Sequence, residues 1–357
     1  MRERRGRNRL LCGLAGWLLL ATSGAAAAES AARAPVLLFI SGSSTADLPS
    51  TVGDARAVAV TNLEAALAAD GMAVVPADTL LPLLMAHRVR SAYSLSPAFL
   101  ADLARDTGAT HLLVAVLLVH QQRLQLLARL VHLQSASVVW AGQDETTLAR
   151  PDLLRGEIDA VAWYEGLVSL CRRCRPAVDF AGPSGGLPLV VLPVRGLGCD
   201  PELSLAATHT VLAPIAAAHR WRVIDPGVAA ALLEDEGVRI DRLDAAGRRR
   251  LARDLGVRWL AAPELMVYGI SSYSVGDRSD DEFGAFTVDA TVTEYELAIR
   301  FLDTTDGIVV ANHVSHRDNG TRVGWFGVVD GTSVLEGLGR AARTIWNEID
   351  DNLEDER

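Results

Sequence analysis

Lysine is absent from this 357-residue sequence, and its absence excludes several kinds of chemistry. Schiff-base catalysis, the nucleotide-binding P-loop and the lysine-dependent serine acylases all require a lysine side chain. Basic residues are also outnumbered by acidic ones, and the formal net charge is -10. A surface of that sign disfavours nucleic acid and anionic lipid as partners, because both are bound through basic patches.

The first 28 residues have the composition of a secretory signal peptide. Five arginines precede or begin an apolar stretch from Leu10 to Ala21, and the small residues before Glu29 fit a cleavage site. The apolar stretch is too short to predict a membrane span, although a retained N-terminal anchor is the alternative. Removal of residues 1–28 takes away five arginines and one glutamate, so the formal net charge changes from -10 to -14. We therefore predict an acidic protein exported to the periplasm or beyond the cell, with no transmembrane segment after cleavage.

Cysteine is scarce, and three cysteines remain after removal of the signal: Cys171, Cys174 and Cys199. In an oxidising compartment a disulfide is expected, either within the Cys171 and Cys174 pair or from one of them to Cys199. Free buried thiols and a redox-active pair are the alternatives. Redox pairs use the positive end of a helix to stabilise thiolate, whereas Cys171 and Cys174 follow an amphipathic segment and so lie near its negative end. The sequence favours a structural disulfide.

The chain repeats itself after about 148 residues, a period that indicates duplicated domains rather than a solenoid. The residues LARDTG at 103–108 return as LARDLG at 251–256. Around each copy the pattern predicts a strand, a helix, a short strand, a short helix, a capped helix, three strands and a final helix. A Pro- and Gly-rich linker at 175–187 separates residues 29–174 from residues 188–357. The predicted fold class is α/β (α+β), with two tandem repeats of a small mixed-sheet domain that has helices packed on its sheet.

This order of elements resembles the TolB N-terminal and CsgG-like family of exported α/β domains. The resemblance rests on the strands that end in VVP at 74–76 and VID at 223–225, on the LARDxG helices and on the turn at 302–310. It covers both repeats. The second copy matches better, because the first has Gln134 and Ser137 where the family has its Asp and turn Gly. The resemblance implies roles in envelope assembly, secretion and interaction rather than catalysis, an inference by analogy of fold.

One segment concentrates carboxylates, and its members are Asp277, Asp280, Asp281 and Glu282. Such a cluster suits Ca²⁺, but the spacing lacks the alternate-residue ligands and central Gly of an EF-hand. A solvated hairpin tip is the simpler interpretation. We predict no catalytic residue, no metal site and no cofactor.

Two functions are consistent with the sequence. The favoured one is an exported, non-enzymatic protein of the cell envelope that binds an envelope protein or serves as an assembly or scaffold module, through its sheet edges and the cleft between the repeats. The alternative is a periplasmic small-molecule-binding protein or hydrolase with its site between the repeats, where duplicated α/β domains commonly form a cleft. Titratable side chains with perturbed pKa in that cleft would favour the alternative. The oligomeric state does not follow from the sequence.

Overall fold

The computed structural model describes most of the chain after the predicted signal. The described residues are 35–42, 55–75, 79–89, 91–120, 123–147, 160–175, 186–218, 220–235, 237, 243–276, 287–305, 309–319, 322–324, 327–329 and 334–355.

The first repeat contains five strands and four helices in its described residues. In chain order they are β1 (Pro35–Gly42), α1 (Ala55–Ala69), β2 (Ala73–Val75), α2 (Leu80–Ala86), α3 (Pro97–Thr107), β3 (His111–His120), β4 (Arg123–His132), β5 (Ser137–Thr147) and α4 (Ala160–Arg173).

The second repeat follows the same plan with additional short strands. Its described elements are β6 (Leu187–Val191), β7 (Arg195–Leu197), α5 (Pro201–Ala217), β8 (Trp221–Ile224), α6 (Pro226–Asp235), α7 (Ala245–Leu255), β9 (Trp259–Gly276), β10 (Thr287–Asp303), β11 (Val309–Asn319), β12 (Arg322–Gly324), β13 (Gly327–Val329) and α8 (Val334–Asp355).

The two LARDxG helices, α3 and α7, begin and end where their sequence predicts. The Ser96 side chain accepts a hydrogen bond from the third residue of α3, and Asp244 does the same for α7. Each helix ends at a glycine in the left-handed conformation, Gly108 with φ 67° and Gly256 with φ 62°. Glycine adopts this conformation without the steric cost that other residues incur, so these two positions set the ends of the helices.

Both repeats contribute strands to one mixed sheet, which confirms the predicted α/β fold class, whereas the arrangement as two tandem domains stays a prediction. The order of its main path is β11-β10-β9-β6-β8-β5-β4-β3-β1-β2, with β7 paired to β9. The first repeat therefore reads β2-β1-β3-β4-β5 and the second reads β8-β6-β9-β10-β11, the same order in corresponding strands. Residues Pro35–Arg357 form one compact unit. The predicted linker falls largely outside the described residues, so the boundary at 175–187 stays a prediction.

The core is shared between the repeats. One hydrophobic cluster contains residues of α3, β3, β4, α5, β6, α7, β9, β10 and α8. A second cluster lies on the other face of the first repeat, where α1 and α4 cover β3 and β4. None of the helices within the described ranges is long and apolar enough to cross a membrane.

Candidate protein-binding face

The three cysteines are thiols in the structure, which corrects the predicted disulfide. Cys171 lies within α4 and its thiol faces the carbonyl oxygen of Ala59 at 3.9 Å, whereas the Cys174 thiol donates to the carbonyl oxygen of Leu126 at 3.5 Å. The two side chains thus pack against different elements, α1 and β4. Burial raises the pKa of both thiols to about 12, so they carry little reactive thiolate at neutral pH. Cys199 belongs to the second repeat and is also a thiol.

The acidic segment predicted as a hairpin tip or a Ca²⁺ loop lies outside the described residues. Its members are Asp277, Asp280, Asp281 and Glu282. Elsewhere, in the ranges that the structure describes, no three His, Cys, Asp or Glu side chains are grouped so that they could hold a metal ion.

The two repeats join where β5 pairs antiparallel with β8. Ser137 lies opposite Ile224, and Val138 lies opposite Val223. The strand pairing is short, and helix α5 reinforces it. This helix belongs to the second repeat but packs on β5, β4 and β3 of the first. A strand edge and a helix of one repeat are therefore docked on the sheet of the other.

Helix α5 is rich in small and apolar side chains. Ala206, Ala207, Thr210 and Val211 are buried, each with at most 1% of its surface exposed. The hydroxyl of Thr210 donates to the side-chain oxygen of Gln143 on β5 at 2.6 Å. Small side chains let the helix lie close to the sheet, and the hydroxyl contact adds direction to an otherwise apolar interface.

A buried polar network crosses the same junction. Arg129 of β4 donates through Nε to one oxygen of Asp225 at 2.5 Å and through Nη2 to the other at 3.2 Å. The same Nη2 reaches the carbonyl oxygen of Ala92 at 2.5 Å, and Nη1 lies 3.2 Å from Nε2 of His209. The His209 Nδ1 atom lies 2.7 Å from the hydroxyl of Tyr93. Arg129 and Tyr93 of the first repeat are thus bound to Asp225 and His209 of the second.

Burial and charge together set the protonation of this network. Burial lowers the pKa of His209 well below its ordinary value, and the Arg129 cation lowers it further. Burial alone would lower the pKa of Arg129, but the Asp225 carboxylate raises it overall. A guanidinium can only donate, so Nε2 of the neutral His209 accepts from it and Nδ1 donates to Tyr93. The Tyr93 hydroxyl then donates to the carbonyl oxygen of Leu205 at 3.4 Å.

This network lies at the junction between the repeats, where the alternative function would have its site. It has the perturbed pKa values expected of a catalytic cluster, but Arg129 and Asp225 are both 0% exposed and His209 is 1% exposed. Its polar groups are bound to each other rather than directed into an open cleft. The network therefore fastens the repeats together, as a fully partnered buried cluster does.

Strand register identifies the corresponding positions of the two repeats. The first strand of each repeat, β1 or β6, has a partner on either side. The corresponding triplets are Val36, Val74, His111 and Leu189, Val223, Trp259. Continuing along the next strand pairs, Val114 opposite Arg129 in the first repeat corresponds to Ala262 opposite Arg300 in the second. The buried Arg129 thus has a counterpart of the same residue type.

The face that α5 covers in the first repeat is open in the second. We call the open face the six residues Ala262, Glu264, Met266, Glu296, Ala298 and Arg300 of β9 and β10. Their counterparts, each at most 3% exposed, are Val114, Val116, Leu118, Gln125, Leu127 and Arg129. On the open face Met266 is 36% exposed, the Arg300 side chain is 49% exposed, and the remaining four are partly exposed.

A small cavity lies between the open face and the start of α7. Its volume is about 210 Å³. Glu264 lies between two cations on its rim, 2.6 Å from Nη2 of Arg300 and 3.3 Å from Nη1 of Arg195. Beside it the Tyr268 hydroxyl donates to Glu296 at 2.7 Å. A cavity of this size is below the usual range of roughly 300–1,000 Å³ for small-molecule sites.

Sequence reasoning missed the open face, although the sequence contains a signal for it. The repeat aligns LLVAVLL at 112–118 with LAAPELM at 260–266. Where the first copy is apolar throughout, the second has Glu264 and the smaller Ala262. A charged residue at a position that is buried in the other copy indicates a surface in different surroundings.

Comparisons with known proteins identify no family. No family model matches the chain, and no curated protein does. Among solved structures, the chain is similar to the lipoprotein GNA1162 from Neisseria meningitidis, with 12% identity and a TM-score of 0.29 over 46% of this chain and 99% of that one. It is also similar to the LpoB C-terminal domain from Salmonella enterica, with 12% identity and a TM-score of 0.23 over 37% of this chain and 82% of that one. The TolB N-terminal and CsgG-like assignment therefore stays a resemblance.

Proposed function

We propose that the protein is an exported, non-enzymatic module of the cell envelope that binds another protein through the open face. One observation carries the proposal: the face that is covered by a docked helix in the first repeat is uncovered in the second. The surroundings of the face suit a protein better than a metabolite, because apolar and charged side chains alternate across two adjacent strands beside a small cavity. The N-terminal signal predicted from the sequence supports export.

The alternative, a hydrolase or small-molecule receptor with its site between the repeats, lacks a comparable observation. The titratable groups at that junction are buried and bound to each other. In the proposed function, the junction holds the two repeats together and the open face of the second repeat binds the partner.

The test compares two substitutions that introduce the same charge at different places. Ala298→Arg places a second cation beside Arg300 on the open face, and Thr344→Arg places one on the exposed side of α8. The exported chain and both variants are immobilised and exposed to envelope extract, and the retained proteins are identified by mass spectrometry. We expect a stoichiometric partner on the wild-type chain and on Thr344→Arg, and its loss on Ala298→Arg. Equal recovery on Ala298→Arg would contradict the proposal, and a bound small molecule without any protein would favour the alternative.

A further inference from the structure

We infer that the open face takes a second copy of this chain, whose helix α1 docks on it as α5 docks on the first repeat. The inference rests on the proposed function, because it names the occupant of the same face. It makes the junction between the repeats the pattern for a contact between chains. The contact is head to tail: the first repeat of one copy meets the second repeat of another.

The docking side of α1 has residue types that match those of α5, and its Thr61 is exposed. The β2 and β8 registers, extended back along each helix, align Thr61 with Thr210 and Val58 with Ala207. Thr210 is buried against Gln143 of the first repeat and Ala207 is buried, whereas Thr61 is exposed and Val58 is partly exposed at the edge of the second hydrophobic cluster. The helix thus presents a threonine at the position whose counterpart bonds to the neighbouring sheet.

The strand edges at the two ends of the sheet are complementary in the same way. In the described residues, β2 ends one side of the main path and β11 ends the other. They correspond to β8 and β5, which pair at the junction. The same register between two copies places Val74 of one opposite Val309 of the other, as Val223 lies opposite Val138. An uncovered strand edge is a ready template for such pairing.

The cavity of the second repeat occupies the space that corresponds to the filled space around Arg129 in the first repeat. Around Arg129 that space contains His209 of α5 and Asp225 at the end of β8. Around Arg300 the corresponding space is the cavity of about 210 Å³. A helix docked on the open face would bring its side chains to this cavity.

The contact between chains is weaker than the junction within a chain. The position of Asp225 corresponds by sequence to Pro76, so no carboxylate arrives from that position, and Arg300 is already paired with Glu264. The linker within one chain also raises the effective concentration of the two repeats, which separate chains lack. We therefore expect reversible, concentration-dependent association.

The symmetry of the contact determines the assemblies it can form. Two different surfaces meet, so the interface is heterologous, and successive copies either extend as a chain or close into a ring. A two-fold dimer, in which both copies use the same surface, does not follow from this geometry.

The experiment measures the mass of the purified exported chain by light scattering across a range of concentrations. We expect the average mass to rise above that of one chain as the concentration increases. The rise continues if the copies form an open chain, and it reaches a plateau if they close into a ring. Thr61→Arg on α1 and Ala298→Arg on the open face should each weaken association at least about tenfold, because each places a long side chain where the two copies would meet. Thr344→Arg should associate like the wild type. Circular dichroism and thermal unfolding establish that every variant is folded.

Mixing the two blocked variants gives the decisive readout. Thr61→Arg keeps a functional open face and Ala298→Arg keeps a functional α1, so an equimolar mixture should form a complex of two chains and grow no further. A wild type that stays at one-chain mass at all concentrations, or a mixture that never exceeds it, would overturn the inference. The proposed function would survive that result if Ala298→Arg still loses an envelope partner, so the two failures are distinguishable.

Discussion

At the scale of single residues, the junction depends on what faces one arginine position. Arg129 and Arg300 occupy corresponding positions in the two repeats. Arg129 meets a carboxylate from the other repeat and is completely buried, whereas Arg300 meets Glu264 of its own repeat and stays half exposed. The residue type is therefore the same in the buried contact and on the open face. The two sites differ in whether the carboxylate that pairs with the arginine comes from the other repeat or from the same one.

Removal of the Asp225 charge should destabilise the protein strongly. Asp225→Asn leaves the Arg129 cation buried without a counter-charge, and breaking such a pair typically costs about 3–5 kcal/mol of unfolding free energy. Glu336→Gln removes an acid that pairs with Arg340 at an exposed i,i+4 position, and should change stability by less than about 0.5 kcal/mol. Denaturant unfolding at pH 7 measures both. A loss below about 1 kcal/mol for Asp225→Asn would show that the pair is not essential to the junction.

The neutral His209 should make stability depend on pH. Its folded-state pKa is lowered, so below about pH 6.5 the unfolded chain binds a proton that the folded chain does not. Stability should then be complete above that pH and fall by about 1.4 kcal/mol per pH unit below it, until the folded state itself takes up the proton. Denaturant unfolding at pH 7, 6 and 5 should show a smaller decline for His209→Gln than for the wild type. Parallel declines in the two proteins would assign the pH dependence to other groups.

At the scale of elements, one helix position is used twice in different surroundings. Helix α5 has one side on its own sheet and another on the first repeat, whereas α1 is covered on its own-sheet side, where Ala59, Leu63 and Leu67 are buried. The side of α1 that corresponds to the docked side of α5 carries the exposed Thr61. Comparison of α1 with α5 therefore tests the inferred contact at corresponding positions of the same chain.

The same substitution should destabilise the protein strongly on α5 and hardly at all on α1. Thr210→Arg places a charge inside the junction, where it has no partner, and should cost more than about 3 kcal/mol. Thr61→Arg places it on the exposed side of α1 and should stay within about 0.5 kcal/mol of the wild type in a dilute sample. The melting temperatures of the two variants provide the comparison. Similar losses would mean that the two positions do not correspond.

The sequence predicts elements better than it predicts the contacts among them. The ends of α3 and α7 follow from Ser96, Asp244 and two glycines, because capping is a local property. The end of β5 does not, since the polar residues 143–147 lack strand alternation and are held by pairing with β4. The open face is further removed, because it depends on which sheet α5 covers. That choice is made by tertiary packing, which no local pattern encodes.

At the scale of the whole molecule, the two end strands of the mixed sheet correspond to the two strands that pair at the junction within the chain. One junction between repeats is present within the chain, and the two edges that would repeat it lie at opposite ends of the sheet. The formal net charge of -14 predicted for the chain without residues 1–28 opposes contact between copies, and this repulsion is screened by salt. Association should therefore strengthen between low and moderate ionic strength.

The shared sheet and core should make both repeats unfold together. One hydrophobic cluster contains residues of both, and the Arg129 and Asp225 pair links them at its centre. Separate domains would give separate transitions, whereas a common core gives one cooperative transition with equal calorimetric and van't Hoff enthalpies. Scanning calorimetry of Thr61→Arg at low protein concentration, where the inferred association is weakest, measures the ratio of the two enthalpies. Two resolved peaks, or a van't Hoff enthalpy well below the calorimetric one, would mean that the repeats are independent domains and that the junction is only a weak contact between them.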